Sequence, residues 1–118
     1  MSTHQYIPLI VERLKKADPV KVVLFGSHVA GKTDSDSDID ILVVTSDNYI
    51  PKTYKEKISL ELKISSLISD IKKECPVDLI VHTIPMHDKF LALGSMFSKE
   101  ITKKGRILYE RDYRGMQE

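Results

Sequence analysis

Between residues 25 and 44 the chain reads FGSHVAGKTDSDSDIDILVV, which sets a glycine–serine corner and a Gly-Lys-Thr step ahead of a run of aspartates. Glycine lets a phosphate reach backbone amides because it has no Cβ, and serine adds a hydroxyl donor. Paired carboxylates suit a hard divalent cation. Two phosphate-handling patterns overlap in this stretch. Gly26 to Thr33, GSHVAGKT, matches the phosphate-loop pattern G-x-x-x-x-G-K-[ST]. Gly26-Ser27 followed ten residues later by Ser37-Asp38-Ile39-Asp40 forms the second.

Context separates them. A phosphate loop works because a helix starts at its Gly-Lys-Ser/Thr, presenting amides and the positive end of its dipole. Here Lys32-Thr33 runs into DSDSDID, residues that favour turns and caps over helix interiors. The second metal acid of such an enzyme also ends an apolar strand, whereas here the acids precede DILVV. The second pattern fits at each point. The β-branched run VKVVLF (20–25) stops at Gly26, and IDILVVT (39–45) begins with the acids. Period-two alternation puts Asp38 and Asp40 on one face, roughly 6–7 Å apart, and turns Ile39, Ile41 and Val43 the other way. Two such charges repel by about 0.5 kcal/mol in water and about 2–3 kcal/mol at an effective dielectric near 20. A divalent cation converts that cost into binding.

A third acid, Asp78, opens another apolar strand, VDLIVHT (77–83). Residues 53–74 between strands two and three carry Ile64, Leu67, Ile68 and Ile71 at helical spacing, the long connection that parallel strands need. Parallel neighbours lie ~4.8 Å apart, so Asp78 can stand beside Asp38 and Asp40 at one sheet edge. Carboxylates grouped in this way can hold two cations for an in-line phosphoryl displacement. The remaining elements are a helix over 4–17 carrying Ile7, Ile10, Val11 and Leu14, and a helix from Met86 to Lys104 lined by Phe90, Leu93, Phe97 and Ile101. ILYE (107–110) is a last short strand or an extended docking segment. The expected fold is α/β (α+β): a small mixed sheet with helices packed on it, forming one domain over 1–118.

FGSHVAGKTDSDSDIDILV resembles the G-S-x-x-x-G-x-x-x-x-x-S-D-x-D-[IL] motif of minimal nucleotidyltransferases in the polymerase-beta-like superfamily. VDLIV is similar to the strand bearing that family's third acid, and ITKKGRILYE to the usual end of these small domains. The resemblance implies that Asp38, Asp40 and Asp78 bind Mg²⁺, two ions in all, and that Gly26 and Ser27 hold the β- and γ-phosphates of ATP. It also implies transfer of a nucleoside monophosphate to a hydroxyl, with Asp78 placed to take the acceptor's proton. Many members carry Arg between Gly-Ser and the acids, where this chain has His28, Ala30 and Asp34, with Lys32 nearby. Domains of this kind often pair with a helical HEPN-type RNase toxin, some by placing AMP on a toxin tyrosine. That makes an antitoxin the leading expectation. The alternatives are an antitoxin acting by contact alone and a subunit modifying an aminoglycoside-like small molecule.

Other side chains have plainer readings. Ser37 shapes the turn, and Asp34 and Asp36 are solvated loop residues. His82 and His87 flank a strand end without metal-ligand spacing, Cys75 is a small packed residue, and the Phe90–Ile101 stripe is core or partner contact in preference to a base-stacking platform. Among 118 residues, 18 basic and 17 acidic side chains leave a net charge of +1, which argues against a general nucleic-acid or membrane-surface binder. The single cysteine allows no internal disulfide, and no apolar run approaches the ~20 residues of a membrane span. A cytoplasmic protein is expected.

Overall fold

A computed structural model describes residues 3–26 and 38–111. The chain enters through α1 (Ile7–Leu14), which has a proline in its first turn and buries Ile7, Ile10 and Leu14 on one stripe. Turns of 3-10 helix flank it at Thr3–Tyr6 and Lys15–Ala17, so the expected 4–17 helix is α-helical only at its centre. Asp18 adopts the left-handed conformation (φ 51°). Pro19 follows it and cannot extend the helix.

The sheet contains β1 (Lys21–Phe25), β2 (Ile39–Val44), β3 (Val77–His82) and β4 (Arg106–Glu110), in the order β3-β2-β1-β4. β1 pairs antiparallel with β2 and with β4, while β2 and β3 are parallel. The segment left open between strand and docking arm is therefore a strand. The β2–β3 crossover is α2 (Tyr54–Ser65), a 3-10 turn at Ser66–Ile68 and α3 (Ser69–Lys72). Thr53 caps α2 by accepting the Glu56 amide at 3.1 Å. One helix was expected over 53–74. It breaks in the serine-rich stretch, where the Ser66 hydroxyl donates back to the Lys63 carbonyl at 3.0 Å and Ile68 leaves helical geometry (φ −122°, ψ 22°). The inward row survives the break, for Leu60, Ile64, Ile68 and Ile71 are all buried.

The expected Met86–Lys104 helix is likewise two, α4 (Ile84–Leu93) and α5 (Met96–Lys104). Gly94 ends α4 in the left-handed conformation (φ 58°), and Ser95 restarts the chain by accepting the Ser98 amide at 3.1 Å. A glycine C-cap followed by a serine N-cap outweighs an apolar period that runs unbroken through both.

Alternation along the strands divides the core. Val22, Leu24, Ile39, Ile41, Val43 and Val81 pack against α1, α2 and α3. Val23 and Leu42 turn to the opposite face, against Ile101 of α5, with Phe25, Ile80 and Phe90 alongside. Arg13 ties α1 to α3 through paired bonds to Asp70 at 2.7 and 2.9 Å. That guanidinium, by hydrogen bonding first of all, holds the Asp70 carboxyl below its usual range.

Candidate active site

Asp40 lies one residue into β2, paired with Phe25 across the antiparallel ladder and with Asp78 across the parallel one. Its register places it on the same face as Leu42, Val23 and Phe25, and Asp78 joins that face two residues before Ile80. The structure thus brings two of the acids side by side at the sheet end where β1 finishes and β2 and β3 begin. Asp78 is exposed and Asp40 half-buried.

Gly26 closes the corner. Its φ of 82° lies in the left-handed region, and a Cβ built there would fall on the Asp40 carboxylate, 3.1 Å from its Cγ. The bare glycine is what lets that carboxylate sit against the end of β1. Ser27, along with His28, Ala30, Lys32, Asp34, Asp36 and Ser37, lies outside the described residues. So does the Lys32-Thr33 step of the phosphate-loop reading.

Asp38 is exposed at the entry to β2, where the next amide, Ile39, donates to the Pro76 carbonyl at 3.0 Å and draws the starts of β2 and β3 together. Beneath this junction the buried Cys75 thiol is pushed up, by burial first and then by the negative charge of Asp38. Among the described residues no three His, Cys, Asp or Glu side chains gather as a ready-made cation cage. The donor chemistry still suits one. Two carboxylates in register are hard oxygen ligands of the kind Mg²⁺ takes alongside substrate phosphates, and the missing Cβ of Gly26 is what admits the Asp40 carboxylate to this corner.

Sequence reading gave no site role to the aromatic wall on this face. Phe25 meets Phe97 edge-on, with centroids 5.6 Å apart, and Phe90 meets Phe97 similarly at 5.8 Å. The signal was present in strand parity, because Phe25 pairs with Asp40 and so shares its face. Further along that face the rings of His82 and Phe90 lie 4.9 Å apart, and His82 Nδ1 is 3.2 Å from His87 Nδ1. One imidazole must donate and the other accept.

Burial, then the neighbouring His87 and Lys57, pushes His82 down to about 4. Above pH ~6.5 the ring is neutral whether folded or unfolded. As pH falls from there, the unfolded ring takes a proton that the folded one refuses until about pH 4, so stability drops through this window. Because the ring is only half-buried, the expected loss is about 1–2 kcal/mol, less than the full shift implies. Urea unfolding at pH 7, 6, 5 and 4 should show this slope in the natural protein and a flatter one in His82→Gln. Parallel slopes would remove His82 from the account.

Four strands in the order β3-β2-β1-β4, with helices on both faces and acids at the starts of β2 and β3, define a nucleotidyltransferase fold of the polymerase-beta type. The chain belongs to the polymerase beta nucleotidyltransferase family, whose pattern matches residues 9–114. Solved structures with this fold include a toxin–antitoxin with AMP-PNP, 21% identical, covering 92% of this chain and 76% of that one at a TM-score of 0.57. Another is a putative nucleotidyltransferase from Sulfolobus solfataricus, 22% identical, covering 91% and 79% at a TM-score of 0.58. A third is a complex of a tri-AMPylated Shewanella oneidensis HEPN toxin with its MNT antitoxin, 19% identical, covering 98% and 78% at 0.54. A search of curated proteins finds no match. Among the described residues no helix is long and apolar enough to cross a membrane.

Proposed function

We propose that this protein is a metal-dependent nucleotidyltransferase that moves AMP from ATP to a hydroxyl, and that its acceptor is a tyrosine of a HEPN-type toxin, making it an antitoxin. The observation that carries this reading is the in-register pair Asp40–Asp78 beside the bare Cα of Gly26, in a chain of this family. The solved complexes with AMP-PNP and with an AMPylated HEPN toxin support the nucleotide and the partner.

Asp38, Asp40 and Asp78 would hold Mg²⁺, which when bound neutralises the triphosphate and its leaving pyrophosphate. The glycine–serine corner, Gly26 and Ser27, takes the β- and γ-phosphates. Asp78, exposed at the start of β3, receives the proton of the incoming hydroxyl. The hydroxyl oxygen bonds to the α-phosphorus, the bond from that phosphorus to the α–β bridging oxygen breaks, and pyrophosphate departs.

Incubation with ATP, Mg²⁺ and a HEPN partner should raise the partner's mass by one or more AMP units, and Asp40→Asn should slow the gain by about 10³-fold, to a residual rate. An unchanged partner mass with the natural protein would overturn the catalytic reading. Protection by contact alone is the second reading. It is favoured by Leu93 and Met96, which stand 80% and 89% exposed at the α4–α5 joint. On that reading Asp40→Asn still protects against the toxin.

A further inference from the structure

The aromatic wall beside the acids has a use of its own. Phe25 is the residue before Gly26 and the cross-strand partner of Asp40, so its side chain starts about 5 Å from that of Asp40 on the same face. Phe97 rests edge-on against Phe25 and is supported from behind by Phe90. It sits in the first turn of α5, fixed by the Ser95 cap. The ring touches two other aromatics and is still 42% exposed. The core residues on this face of the sheet, Val23, Leu42 and Ile101, are already buried. A core plug would have closed over.

We propose that Phe97, backed by Phe25, is the stacking surface for the base of the incoming nucleotide. This rests on the nucleotidyltransferase reading above: a triphosphate held at Gly26 and Asp40 places its nucleoside within a ribose's reach of this wall. Every base has a π face, so stacking on an aromatic ring is tolerant of sequence and favours the larger ring systems. The side chains that build the wall, Phe25, Phe90 and Phe97, offer no hydrogen bond to a base edge. The substrate class that follows is a purine nucleoside triphosphate chosen by ring area, with ATP and GTP bound within a few-fold of each other and CTP more weakly.

The chain contains no tryptophan, so Phe97→Trp creates a single fluorescent reporter at the site. Mg·ATP and Mg·GTP should quench it, while inorganic tripolyphosphate, which has no base, should not. By calorimetry Phe97→Ala should weaken ATP binding about tenfold and leave tripolyphosphate binding unchanged, with Phe97→Tyr restoring the natural value. Thermal melting of each variant checks that it is folded. Equal loss of ATP and tripolyphosphate binding in a folded Phe97→Ala would assign the ring to structure and overturn the proposal. So would ATP binding that ignores the substitution. If the natural protein binds neither ligand, the nucleotidyltransferase reading falls with it. If it binds both and Phe97→Ala changes nothing, only the stacking site falls.

Discussion

Gly26→Ala should cut nucleotidyl transfer by about 100-fold or more while leaving a folded protein. Two separate costs meet at this residue. An L-residue at φ 82° is strained by about 1–2 kcal/mol, a modest fraction of a domain's stability. The larger effect is positional, because the added methyl would occupy the space of the Asp40 carboxylate. That side chain can swing aside, so the fold tolerates the change, but the acid then leaves the place where it stands beside Asp78. Misplacing a reacting group by about 1 Å can cost on the order of 10²-fold in rate. The double variant Gly26→Ala, Asp40→Asn is the sharper test. If the methyl acts through Asp40, adding it to Asp40→Asn should slow transfer no further. Additive losses, or a Gly26→Ala protein as fast as the natural one, would show that the glycine serves something other than this carboxylate.

Strand chemistry was the most readable part of this fold. Short β-branched runs bounded by glycine, proline and aspartate defined β1, β2 and β3, and the length of the β2–β3 connection implied their parallel pairing. Helix ends were less legible. The apolar stripe runs through Gly94-Ser95 and through Ser65-Ser66 without a change of period, so breaks made by caps and serine back-bonding leave no mark on it. β4 stayed open in the sequence because a five-residue strand at a sheet edge and a docking arm share the same composition. At the site, alternation related Asp40 to its neighbours, and the parallel register supplies the pairing with Asp78. The role of Phe25 was hidden for a physical reason. A phenylalanine ending an apolar strand reads as core until the register shows it facing an aspartate.

Asp78→Asn should remove both the stabilisation by Mg²⁺ and the transfer activity in a single change. In register across a parallel ladder, Asp40 and Asp78 stand about 4.8 Å apart, close enough for one cation to meet both. Asparagine keeps the shape of the side chain and removes the charge that the cation would meet. Divalent cations should act unequally on the two proteins. Mg²⁺ in excess stabilises whatever folded site binds it, so the natural protein should melt higher with Mg²⁺ than without, whereas Asp78→Asn should respond weakly or not at all. Transfer to the acceptor should fall about 10²- to 10³-fold, the range covered by several kcal/mol of lost charge stabilisation in the transition state. Scanning both proteins with EDTA and with Mg²⁺, then assaying transfer, separates these effects. An undiminished Mg²⁺ shift in the variant would move the metal site away from β3 altogether.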